Sequence, residues 1–147
     1  MADGPTILIV TSRYYSHIAA ELEAGVVEAL TRAGASHEFL EVPGAFEIPG
    51  AIGMAAQLGE HDGYVGLGCV IRGETSHYDL ICTEVARGLM DLSLSGVPVG
   101  FGVLTVENET QARVRADRNG KNKGKEVVDA VLRMVELAAH FRDGVEA

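Results

Sequence analysis

Four apolar runs, separated by stretches of helical periodicity, set out the chain. Thr6-Ile7-Leu8-Ile9-Val10-Thr11 is β-branched without polar alternation, the pattern of a strand buried on both faces. Ser12 to Tyr15 reads as a loop and Ser16 is placed to cap the next helix. Ile18, Leu22, Val26, Leu30 and Ala33 then recur at helical spacing until Gly34 closes that helix. A second strand over Ser36 to Val42 leads into Pro43-Gly44-Ala45-Phe46-Glu47-Ile48-Pro49, where Pro49 fits the first turn of a helix ending near Leu58. Tyr64 to Ile71 is predicted as the third strand, and Leu80, Val85, Leu89 and Leu92 mark the helix that starts at Ser76. Val97 to Val106 is predicted as the fourth strand, with Pro98 early in it. Glu107 to Gln111 begins a short helix, a basic loop follows, and a long helix spans roughly 124–141 with Val128, Val131, Val135 and Ala138 on its apolar face.

Strands alternating with helices imply parallel βαβ units and a three-layer α/β sandwich. At 147 residues the chain is expected to form a single domain, 1–147, with a short flexible N-terminus over 1–5. An apolar fraction of 47% argues against disorder. No apolar run approaches the ~18 residues that span a bilayer. Met1-Ala2-Asp3-Gly4-Pro5 carries neither a charged nor an apolar leader segment, so a cytoplasmic protein is the expectation. Many glycines and alanines on the helices suit close packing and subunit association.

The formal charge of −9 argues against a nucleic-acid or anionic-membrane partner. Against that balance, six of the twelve basic residues crowd together: Arg113, Arg115, Arg118, Lys121, Lys123 and Lys125. The cluster reads equally as a site for a small anion and as a solvated basic loop.

The richest chemistry lies in Gly68 to Asp79, where a strand ends, turns at Gly73 and opens a helix signed by the Ser76-x-x-Asp79 capping pattern. Free N–H groups and the positive end of the helix dipole favour an anion such as phosphate beside Glu74 and Thr75. The same position suits a neutral imidazole at His77, able to accept a proton. A histidine that merely decorates a helix start is the alternative.

In a parallel sheet the strand carboxyl ends share one rim. Arg13-Tyr14, Gly44 to Glu47, Cys69 to His77 and Phe101 to Thr105 are therefore expected to gather there. Tyr14 and Phe46 could sandwich a flat heterocycle, or fill core, and Glu47 could accept hydrogen bonds from a polyol. There is no GxGxxG or GxxxxGK[ST] loop, and Gly66-x-Gly68 precedes further strand. Cys69 and Cys82 lack zinc or CxxC spacing, so neither a disulfide nor a metal site is expected. His17, His37, His61 and His140 are scattered and read as exposed, and Glu84 with Arg87 as a surface pair.

Four blocks resemble the 6,7-dimethyl-8-ribityllumazine synthase family in order and spacing: Val42 to Pro49, Gly68 to Asp79, Val97 to Asn108, and Asn122-Lys123-Gly124. The resemblance covers nearly the whole chain. It implies a flavodoxin-like doubly wound fold, a four-stranded parallel sheet with helices on both faces, and assembly built on a homopentamer with active sites between subunits. The implied reaction joins 5-amino-6-(ribitylamino)uracil to 3,4-dihydroxy-2-butanone 4-phosphate in riboflavin biosynthesis, with no metal and no cofactor. Carried over by position, Tyr14 would stack on the pyrimidine and Ala45, Phe46 and Glu47 would hold the ribityl chain. Cys69, Val70 and Ile71 would line the pyrimidine pocket, and Glu74 and Thr75 would bind phosphate. His77 would transfer protons; from the adjacent subunit Phe101 would close the pocket and Arg115 would pair with phosphate.

The chain departs from the family in having Tyr14 where Phe or Trp is usual and Tyr15 where Asn is frequent. The segment before Thr6 is short and the Asp117 to Lys121 stretch differs from members that form icosahedral shells, which leaves assembly beyond the pentamer open. Rival readings are an archaeal-type riboflavin synthase, a weakly catalytic paralogue that binds lumazine or flavin, and a generic flavodoxin-like or receiver domain.

Overall fold

A computed structural model describes residues 4–144. β1 (Thr6–Ser12), β2 (Ser36–Val42), β3 (Gly63–Ile71) and β4 (Val99–Val106) form one parallel sheet in the order β2-β1-β3-β4. Five helices connect and cover them: α1 (Ser16–Arg32), α2 (Ile48–Leu58), α3 (His77–Leu94), α4 (Glu109–Ala116) and α5 (Lys123–Arg142). A 3₁₀ turn, Ala45–Glu47, leads into α2.

Strand alternation divides the core in two. Ile7, Ile9, Val65 and Leu67 point to one face, packed by Leu22 and Val26 of α1, Ala112 of α4 and Val127, Val128 and Val131 of α5. Leu8, Val10 and Tyr64 point to the other, packed by Ile48 and Ile52 of α2 and Val85 and Leu89 of α3. The expected three-layer α/β sandwich, a flavodoxin-like arrangement, is therefore the observed one.

Close approaches seat these layers. A Cβ on Gly66 would lie 2.7 Å from Ile48 Cγ2, so the bare backbone of β3 lets the start of α2 press onto the sheet. A Cβ on Gly88 would lie 2.8 Å from Pro49 Cβ, which brings α3 against the same helix start. At Gly124 a Cβ would meet backbone of α1, with Val26 N at 2.8 Å.

Several boundaries differ from expectation for identifiable reasons. β4 begins at Val99 because Pro98 has no N–H to donate; its carbonyl accepts from Tyr64 N instead, at 2.9 Å. Ser16 and Ser76 stand at their helix starts without making side-chain cap bonds. The functioning caps are asparagines: Asn108 Oδ1 accepts from Gln111 N at 2.9 Å, and Asn122 Oδ1 from Lys125 N at 3.3 Å. α4 runs on to Ala116, so Arg113 and Arg115 are helical, not part of a loop. Residues 1–3 of the expected flexible terminus lie outside the described residues, while Pro5 O accepts from Ser36 N at 2.9 Å. No described helix is long and apolar enough to cross a membrane.

Candidate active site

The carboxyl ends of β1 and β3, the Pro43–Glu47 segment and the first turns of α3 enclose a cleft of about 660 Å³. That volume suits a ligand of drug or nucleoside size. Its wall holds Tyr14, Ala45, Phe46, Glu47, Cys69, Val70, Ile71 and His77, eight of the candidates singled out by sequence. Tyr14 is 77% exposed and Phe46 55% exposed, so neither ring fills core.

The loop that presents Tyr14 is anchored from α1. Glu23 Oε2 accepts from Thr11 Oγ1 at 2.8 Å and faces Arg13 Nε at 3.3 Å. Tyr15 sets its ring edge-on to Tyr14, with centroids 5.0 Å apart. Ser12, Tyr15, Leu80 and Ile81 also line the cleft and were not among the expected residues. The last two lie three and four positions after His77, so helical spacing alone puts them on its face.

Glu74 and Thr75 stand exposed just before α3. Thr75 Oγ1 accepts from His77 N at 3.3 Å, replacing the cap expected from Ser76. Asp79 instead faces Arg72, with Nη2 3.4 Å from Oδ1.

Phe101 and Arg115 are not at this rim. They line a second cleft of about 260 Å³ with Thr105, Lys121, Lys123 and Glu126. The expectation of one common rim fails here because Phe101 is the third of eight residues in β4 and so lies near its amino end, not its carboxyl end.

Ion pairing sorts the basic cluster. Arg113 binds Glu109, Arg118 binds Glu21, Lys123 faces Glu126 and Lys125 faces Asp129. Elsewhere Arg13, Arg32, Arg72, Arg87, Arg133 and Arg142 are each within reach of a carboxylate. Among the described residues this leaves Arg115 and Lys121 without a carboxylate partner, and both line the second cleft. Arg115 Nη1 is held by Gln111 O at 3.1 Å, which aims the rest of the guanidinium without neutralising it. Such a pair of cations suits a phosphate.

Burial pushes the Cys69 thiol up to about 11, with the Glu109 carboxylate adding to the shift. Both cysteines are free, and among the described residues no three His, Cys, Asp or Glu side chains cluster as a metal site would require. Of the histidines expected on the surface, His61 is not there: its side chain is 10% exposed, with Nε2 2.7 Å from Glu38 Oε1. Glu84 and Arg87 do pair on the surface.

Comparison with known proteins bears on the family. The family model described as 6,7-dimethyl-8-ribityllumazine synthase matches residues 4–139. A protein of that name from Sphingopyxis alaskensis is 51% identical over 94% of this chain and 98% of its own length. One from Novosphingobium aromaticivorans is 52% identical over 88% of this chain and 94% of its own, and one from Bartonella bacilliformis 46% identical over 95% and 94%. A model spanning nearly the whole described chain, with relatives near half identity over almost their full lengths, places this chain in the 6,7-dimethyl-8-ribityllumazine synthase family.

Proposed function

We propose that the chain, acting as one unit over 1–147 in the cytoplasm, condenses 5-amino-6-(ribitylamino)uracil with 3,4-dihydroxy-2-butanone 4-phosphate. The product is 6,7-dimethyl-8-ribityllumazine, with release of phosphate and water, a step of riboflavin biosynthesis. The observation that carries this reading is the division of ligand-binding groups between two clefts. One offers exposed rings, a carboxylate and a histidine; the other offers a ring and two unneutralised cations.

In this reading Tyr14 stacks on the pyrimidine, Ala45, Phe46 and Glu47 hold the ribityl chain, and Cys69, Val70 and Ile71 line the pyrimidine. Glu74 and Thr75 offer backbone N–H groups to the phosphate at the start of α3. Protomers assemble as a ring built on a homopentamer, so that Phe101 and Arg115 of one complete the cleft of the next. The apolar side chains of Met54, Leu58, Met90 and Leu94, exposed on α2 and α3, support such burial between protomers.

The chemistry needs little from the protein beyond placement. The substrate amine attacks the ketone, and loss of water gives an imine. Phosphate is then eliminated, the ring closes on the second amine, and a second water leaves. The amine is itself the nucleophile, so no covalent enzyme intermediate, metal or organic cofactor enters the route. His77 takes and returns protons during these steps, worth ~10²–10⁴-fold, while positioning supplies the larger share.

Mixing the purified protein with both substrates and following lumazine fluorescence tests the reading. Saturable acceleration over the uncatalysed rate is expected. Tight lumazine or flavin binding without turnover would point instead to a non-catalytic binding protein.

A further inference from the structure

The geometry points to Arg72 as the positioning residue for His77, an inference that rests on the function proposed above. Arg72 closes the end of β3, and its backbone N–H donates to Val106 O at 2.9 Å. Its side chain then reaches three ways. Nε lies 2.9 Å and 3.1 Å from the two carboxylate oxygens of Glu107, Nη2 lies 3.4 Å from Asp79 Oδ1, and the guanidinium carbon stands 4.3 Å from the centre of the Tyr78 ring. Tyr78 and Asp79 are the residues directly after His77 in α3. One guanidinium therefore ties the first turn of α3 to the end of β4.

The loop has little else to hold it. Residues 73–77 are exposed, and a Cβ on Gly73 would meet nothing within 4 Å. Ser76 makes no cap bond, and the local bond from His77 N to Thr75 Oγ1 is long at 3.3 Å. Without Arg72, moreover, Asp79 and Glu107 would place two uncompensated carboxylates beside the segment proposed to meet phosphate. A planar fork that also stacks on an aromatic face suits this task, and lysine reproduces only its charge.

Exposed ion pairs contribute little to folding. A displacement of about 1 Å at a reacting group, in contrast, costs ~10²-fold in rate. Arg72→Ala is therefore expected to lower kcat by about 10- to 100-fold, with the KM for the uracil within about twofold of the parent. Its thermal midpoint should stay within about 2 °C, and Arg72→Lys should recover part of kcat. If Arg72 acts through His77, the two losses are not additive: in a His77→Ala background, Arg72→Ala should change kcat by less than about threefold.

Three results would overturn the inference: kcat of Arg72→Ala within about twofold of the parent, its full loss persisting without His77, or a midpoint lowered by about 10 °C, which would mark a scaffold role. A parent protein that forms no lumazine would instead sink the functional reading, and this inference with it. Parental turnover tells the two failures apart.

Discussion

Glu21 Oε2 accepts two hydrogen bonds from Arg118, one from its backbone N–H and one from Nε, both 3.0 Å long. This pair of hydrogen bonds fastens the α4–α5 turn to α1 and removes Arg118 from the pool of cations open to a ligand. It also makes the turn sensitive to acid. The Arg118 side chain, then its backbone N–H, hold the Glu21 carboxyl below its ordinary value. A lowered carboxyl stabilises the fold above its unfolded value of about 4.5, and loses that contribution as pH falls through the folded value. Thermal midpoints measured from pH 7 to pH 3 should fall less steeply for Glu21→Gln than for the parent. The difference should correspond to less than about 1 kcal/mol, because the pair is partly solvated.

Arg115→Ala removes the one partly buried cation in the second cleft that has no carboxylate partner. Charge-assisted bonds to phosphate are worth about 1.5–3 kcal/mol, so the KM for the butanone phosphate should rise about 10- to 100-fold. The KM for the uracil should stay within about twofold. Lys121→Ala should act in the same direction and less strongly. Steady-state kinetics with each substrate varied in turn decide this; a rise confined to the uracil KM would move Arg115 away from the phosphate.

His77→Ala should reduce kcat by a factor within ~10²–10⁴ and leave turnover above the solution background, because placement of the two substrates survives. Isothermal titration should show the uracil bound as in the parent. Complete loss of turnover with both substrates bound normally would assign His77 a larger part than proton transfer.

Gly124→Ala forces a methyl group against backbone atoms of α1, with Val26 N, Gly25 C and Leu22 O at 2.8, 2.9 and 3.0 Å. Backbone cannot step aside as a side chain does, so α5 must move. Urea unfolding should show a loss of about 1–3 kcal/mol.

Cys69 lines the first cleft, yet its thiol is held up at about 11 by burial. At pH 8 roughly one molecule in a thousand carries the thiolate, the form that attacks thiol reagents. Alkylation followed by mass spectrometry should therefore be slow at pH 7–8 and rise about tenfold per pH unit beyond. Rapid labelling at pH 7 would contradict the buried environment.

The strands and most helix positions were legible because apolar periodicity and burial express the same physics: β1 reads as a continuous apolar run because it lies between two strands under two helical layers. The residues of the first cleft were legible because strand ends and helix starts announce themselves by glycine, proline and capping types. What the chain could not disclose was pairing at a distance. Arg113, Lys123 and Lys125 pair with carboxylates three or four positions away, but Arg118 is sorted only by Glu21, which is 97 positions away in the chain. The separation of Phe101 from His77 within one protomer follows from its place near the amino end of β4, and in the sequence only the family resemblance implies it. Arg72 lies inside the most recognisable stretch, yet nothing local signals its part, because Glu107 and Tyr78 become its neighbours only when β3, β4 and α3 meet.

His77 and Arg115 occupy different clefts of the same protomer; under the proposed ring, each chain would carry the left half of one catalytic unit and the right half of another. Two genes, one crippled at His77 and one at Arg115, spoil opposite halves, so neither defect is inherited by every junction when the products are mixed. In a randomly mixed ring about one junction in four joins two sound halves. Co-expression of the two defective chains, assayed with butanone phosphate below the parental KM, should then give roughly a quarter of the parental activity, well above either chain alone, a rescue that a self-contained active site would forbid.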